Sequence, residues 1–172
     1  MGNHSLGRME KMLEKLEREL EMGSSTIIDA AYKGFTKGTE TASLTASQSG
    51  RTIIVGPLAA GLAADTILTL PTAANGLFYR FVYVGGAADA QDLQINTGSD
   101  TNFFIGGVAQ SDPDNAGDDL VVYHPDLNSN SRVNFLTPDS GTWAEVYCDG
   151  TNWFLSGCLV SATNTGVTFA DQ

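Results

Sequence analysis

Apolar residues along this chain follow two different rhythms. Residues 9–20, MEKMLEKLEREL, set Met9, Leu13, Leu16 and Leu20 at spacings of four, three and four, with Met12 beside the stripe. That is the a/d rhythm of a heptad. Glu, Lys and Arg fill the positions between, and Gly23 stands where a C-cap glycine ends a helix. From Arg51 onward the period drops to two. Short β-branched or aromatic runs at Thr52–Val55, Thr66–Leu70, Leu77–Val84, Leu93–Asn96, Asn102–Ile105, Leu120–Tyr123, Val133–Thr137, Thr142–Cys148 and Trp153–Val160 are separated by Gly, Pro, Asn and Asp. Short strands at this density, with no helical period among them, predict an antiparallel β-sandwich or barrel.

The organisation that follows is a helical arm over 1–22, a linker over 23–50 and a β domain over 51–172. Gly, Ser, Thr and Lys dominate the linker, broken by Ile27-Ile28, and a short strand near 41–46 fits the pattern. Two heptads are marginal alone in water, so the helix needs a partner. Three destinations remain open for it: its own domain, an oligomeric coiled coil, or another protein.

The last hairpin allows a finer reading. Asp149-Gly150-Thr151-Asn152 is a turn sequence, and a two- or four-residue loop centred there pairs residues whose numbers sum to 301. Cys148 then faces Trp153, and Trp143 faces Cys158. Val146, Cys148, Trp153 and Leu155 share the face assigned to the core, while Trp143, Tyr147 and Phe154 share the other. Three aromatics on a nominally outer face predict that a sheet or a neighbouring subunit covers it. Both cysteines are expected reduced and buried, since this register keeps them apart.

Charge narrows the partners. The formal net charge is −11, with nine Lys and Arg in 172 residues, which disfavours a nucleic acid or an anionic membrane. No apolar run approaches the roughly 20 residues that span a bilayer. The first residues lack the apolar core of a signal peptide, so folding in the cytosol is expected.

Candidate chemistry is sparse. The loop Asp112–Asp119 clusters carboxylates as calcium sites do, but Ala116 and Tyr123 stand where an EF-hand needs oxygen ligands, so a solvated turn is expected. His124 precedes Pro125 at a strand end and reads as a turn residue. Glu145, in mid-strand, is the only glutamate after Glu40; paired with an Asp it would imitate a glycosidase dyad, but the aspartates lie in turn sequences, so a structural role is expected. Trp143, Tyr147 and Trp153 could stack on a sugar, though hairpin aromatics more often belong to a core or an interface. No nucleophile elbow, zinc motif or phosphate loop occurs, so neither catalysis nor a cofactor is expected.

Two segments carry a resemblance. Thr66–Gly85, TILTLPTAANGLFYRFVYVG, resembles a strand–turn–strand unit of virion proteins of tailed phages, and Asp149–Gly157, DGTNWFLSG, is similar to a hairpin ending the same kind of domain. Together they frame about 95 residues. The resemblance implies a non-catalytic structural protein of the particle, made in the host cytoplasm. Without an internal repeat, the chain fits a capsid decoration (cement) protein on the outer shell better than a head or tail fibre module binding a host glycan. The implied partners are the major capsid protein and other copies of the chain. A homotrimer suits the three-fold positions of an icosahedral shell. Met9, Leu13, Leu16 and Leu20 would supply the oligomer or capsid contact, and Trp143, Tyr147 and Phe154 interface aromatics.

Overall fold

The computed structural model describes residues 42–56, 60–88, 90–115, 120–126 and 129–172. The heptad stripe Met9, Leu13, Leu16 and Leu20 lies outside them. Among the described residues eleven strands follow one another: β1 Ala42–Ser43, β2 Arg51–Val55, β3 Thr66–Thr69, β4 Phe78–Tyr83, β5 Leu93–Asn96, β6 Phe104–Ser111, β7 Val121–Tyr123, β8 Arg132–Phe135, β9 Trp143–Cys148, β10 Trp153–Val160 and β11 Val167–Ala170. They form a five-stranded sheet, β1-β3-β5-β8-β11, and a six-stranded sheet, β2-β4-β9-β10-β6-β7. Neither sheet closes on itself, so the barrel alternative is set aside.

The expected antiparallel arrangement is corrected: both sheets are mixed. Pairings β1/β3, β3/β5, β2/β4 and β6/β10 are parallel. The cause is the route of the chain. From β1 to β6 each strand lies in the opposite sheet from the one before it. Each crossing reverses direction, and two crossings restore it, which makes the next-but-one pairs β1/β3, β2/β4 and β3/β5 parallel; β6/β10 brings together strands further apart in the chain. Only β6–β7 and β9–β10 are consecutive strands that pair, and both are antiparallel.

The inner faces of the two sheets share one core. Ile53, Val55, Tyr79, Phe81, Tyr83, Val146, Trp153, Leu155 and Leu159 come from the six-stranded sheet, and Leu68, Leu93, Ile95, Val133, Phe135 and Val167 from the five-stranded one. Each such side chain contributes roughly 1.5–3 kcal/mol through burial. The two core tyrosines keep their hydroxyls satisfied: Tyr79 donates to the Thr45 carbonyl at 2.8 Å and Tyr83 to that of Gly86 at 2.7 Å. Burial pushes both phenols above their ordinary range. Gly106, at φ +118, lets β6 lie alongside β10, because a Cβ there would strike the Leu155 carbonyl.

The domain also starts earlier than its composition indicated. The strand anticipated near 41–46 is β1, and Leu44 after it joins the core. Residues 42–50 therefore belong with the β domain rather than with the linker. β6 continues through Gly106-Gly107 to Ser111, and β11 is a strand that the sequence pattern does not predict.

Candidate functional site

The β9–β10 hairpin has the register its turn sequence implies. Cys148 faces Trp153, Tyr147 faces Phe154 and Trp143 faces Cys158. The turn holds this alignment: Asp149 accepts the N–H groups of Thr151 and Asn152, both at 2.8 Å, and Gly150 sits at φ +104. Those two donors hold the Asp149 carboxyl below its usual range. Val146, Cys148, Trp153 and Leu155 lie in the core, whereas Trp143, Tyr147 and Phe154 lie on the outer face.

Neighbouring strands extend that outer face into three rows. Phe78, Tyr147, Phe154 and Ile105 stand side by side across β4, β9, β10 and β6. One step along the strands, Thr52, Arg80, Glu145, Ser156 and Gly107 form a polar row. The third row is Ile54, Val82, Trp143, Cys158, Ala109 and Val122, crossing all six strands. Alternate residues on one strand point to the same side, so adjacent rows are about 7 Å apart.

The aromatics interlock. Tyr147 and Phe154 stack with ring centroids 4.9 Å apart. Tyr147 is 49% exposed and Phe78 37%, large fractions for rings in mid-sheet. Arg80 joins the rows: its guanidinium lies 5.8 Å from the Trp143 ring centroid and 3.5 Å from the Glu145 carboxylate. Glu145 is thus an ion-pair partner in the middle row. On the β7 edge Leu120, Val121 and Val122 add exposed apolar surface.

One sequence expectation changes here, and one alternative is narrowed. Cys158 is free, but half-buried in the third row rather than enclosed, and burial raises its thiol above the ordinary range. The three aromatics considered for sugar stacking do not come together. Trp153 is fully buried, Arg80 lies over Trp143, and Tyr147 alone of the three presents an exposed ring.

The residues the sequence left out, Phe78, Arg80, Ile54, Val82 and Ile105, follow the same every-second-residue pattern in their own strands. Their meeting with β9 and β10 depends on pairings between strands distant in sequence, which no local signal specifies.

Elsewhere the candidates stay separate. His124 is exposed, with Nδ1 3.0 Å from the Gly106 carbonyl. In the acidic loop the Asp114 N–H donates to Asp112 Oδ1 at 2.9 Å, which is turn geometry, while residues 116–119 lie outside the described residues. A cleft of about 330 Å³ at the loop end of the sheets is lined by Asp114, Asp139, Thr137 and Thr163 among others. Among the described residues no three His, Cys, Asp or Glu side chains gather to hold a metal ion. No family model, curated protein or solved structure matches this chain.

Proposed function

We propose that the chain is a non-catalytic β-sandwich protein of a tailed-phage particle: a capsid decoration (cement) protein that self-associates, as a trimer, and binds the major capsid protein on the outer shell. The observation that carries this reading is the row structure on the six-stranded sheet. Two apolar rows flank an Arg80–Glu145 ion pair on a surface whose aromatic residues would otherwise meet water. Such a surface marks a contact face rather than a reaction site. Many modest contacts, multiplied by copy number, are what holding a shell together requires. The phage assignment itself rests on the resemblance of Thr66–Gly85 and Asp149–Gly157, and the trimer on the symmetry of shells.

A second reading is a fibre or adhesin module that binds a host glycan. The exposed Tyr147 ring, stacked on Phe154 two positions from Glu145, favours it, because sugars stack on such rings beside polar groups.

Copy number in purified particles separates the two. A decoration protein appears in proportion to the capsomers and co-sediments with capsids stripped of it, and Leu13→Asp with Leu16→Asp weakens that attachment. A few copies per particle would instead indicate a fibre. Failure to co-sediment at all would overturn the decoration reading.

A further inference from the structure

We propose that the outer face of the six-stranded sheet receives the segment Met9–Leu20 of a neighbouring copy, so that the subunits exchange arms. The inference rests on the self-association proposed above and names what that face binds.

Three features point to this occupant. The first is a match of length. As a helix, the stripe from Met9 to Leu20 runs about 16 Å. The row Phe78–Tyr147–Phe154–Ile105 crosses four strands and runs about 14 Å. A helix laid along that row, across the strands, would set Met9, Leu13, Leu16 and Leu20 on the four side chains in turn.

The second is charge. Of the nine Lys and Arg residues only Arg51, Arg80 and Arg132 follow residue 41, against thirteen Asp and Glu. Arg80 is the cation placed within the three rows. Glu10 and Glu17 flank the stripe on one side and Met12 and Glu19 on the other, so a helix along the aromatic row would bring a carboxylate over the Arg80 row.

The third is where the described chain begins. Ala42 lies in β1, at the edge of the five-stranded sheet, the layer that does not carry the face. The 21 residues between Leu20 and Ala42 can extend to roughly 70 Å. A domain of this size has a radius of gyration of about 14 Å. Reaching its own six-stranded face would take the arm back around the β2 edge, whereas a span of this length leaves it free to meet the face of a second copy. Exchange around a closed ring lets every copy give one arm and receive one.

Site-directed cross-linking of the full chain tests this. Two variants, Leu16→Cys and Tyr147→Cys, are each made with Cys158→Ser; the fully buried Cys148 stays native. They are co-expressed, purified together and oxidised with copper phenanthroline, alongside a chain carrying both substitutions. The expected result is a linked pair containing one chain of each kind, with the mass of the wild-type assembly by light scattering unchanged before oxidation. A link found only within single chains of the doubly substituted protein would overturn exchange in favour of a self-docked arm. A Tyr147→Cys chain linked only to its own kind would show that the face meets another face, and would overturn the arm. An assembly of normal mass with no link would reject this occupant and leave self-association standing. A wild-type single-chain mass would remove both.

Discussion

The two sheets bury equivalent inner faces and present opposite outer ones. On the five-stranded sheet the outward rows are Ile67, Gln94, Asn134 and Thr168, then Ser43, Thr69, Asn96, Arg132 and Ala170. Their polar groups bond to one another: Arg132 donates to Asn96 at 3.2 Å and Asn134 to Thr168 at 3.0 Å. The six-stranded sheet puts rings and aliphatic chains at comparable positions, with Arg80–Glu145 as the polar interruption. On the first outer face polar groups pair across the strands, although Asn134 Oδ1 is buried without a hydrogen-bond partner, whereas the second carries the rings of Phe78, Tyr147, Phe154 and Trp143, with Tyr147 and Phe78 left open to water. The difference teaches that, among the described residues, exposed rings are confined to one layer of the fold, the layer on which the contact face is proposed.

Substitutions on the inner faces test the equivalent half of this contrast and have the largest effect. Phe81→Ala in the six-stranded sheet and Phe135→Ala in the five-stranded sheet should each cost about 3–5 kcal/mol, measured by urea unfolding. A loss in one sheet alone would show that the sheets do not share a core evenly. Outward substitutions should separate the sheets. Tyr147→Ser removes cross-strand contacts with Phe78 and Phe154 worth about 0.2–1 kcal/mol each. Gln94→Ser on the other sheet should stay within about 0.5 kcal/mol of wild type. Equal losses would erase the distinction.

How much of this was legible in the sequence varies from place to place. The β9–β10 register was readable because Asp149-Gly150-Thr151-Asn152 is a local turn that fixes pairing by itself, and that hairpin carries Trp143, Tyr147 and Phe154. The mixed topology was not, since alternation between sheets is a property of the route and leaves each strand's period of two unchanged. β11 escaped notice because Val167–Ala170 is four residues long and follows the turn-like run Ser161–Gly166. The connection from β10 across to β11 in the other sheet is held instead by Gln110, which donates to the Thr163 carbonyl at 2.6 Å and accepts the Gly166 N–H at 2.8 Å. Gly106-Gly107 reads as a strand breaker, yet β6 passes through it because Gly106 fits against Leu155. Half of the three-row face was hidden for the same reason as the topology: Phe78 and Arg80 lie far from Tyr147 and Glu145 in sequence.

The ion pair between the apolar rows should matter less than the rings. Both partners are substantially exposed, so Arg80→Met should cost no more than about 1 kcal/mol of stability. Guanidinium-free salt titration checks it: the difference from wild type should shrink as salt rises, and a loss of several kcal/mol would mean that Arg80 organises the whole face.

Acid should separate the two sheets in sign. Burial raises the Asp92 carboxyl just before β5, although the Thr137 N–H at 3.1 Å opposes the shift. Its folded value lies above its unfolded one, so stability from this group is gained as pH falls through the folded value toward the ordinary carboxylate range. Asp149 in the β9–β10 turn is shifted down, so its contribution is present above the unfolded value and is lost as pH falls through the folded one. In thermal melts between neutral pH and pH about 3, Asp92→Asn should remove a gain on acidification and Asp149→Asn should remove a loss. The same sign for both would contradict these environments.

Light scattering of the full chain over a dilution series, beside Tyr147→Asp with Phe154→Asp and beside Gln94→Asp, tests the claim that one layer carries the contact. The account predicts a multiple of the single-chain mass for wild type and Gln94→Asp. It predicts a folded single chain, judged by circular dichroism, for the Tyr147 and Phe154 pair. A wild type with the mass of one chain, or a Tyr147 and Phe154 variant that assembles as wild type does, would contradict it.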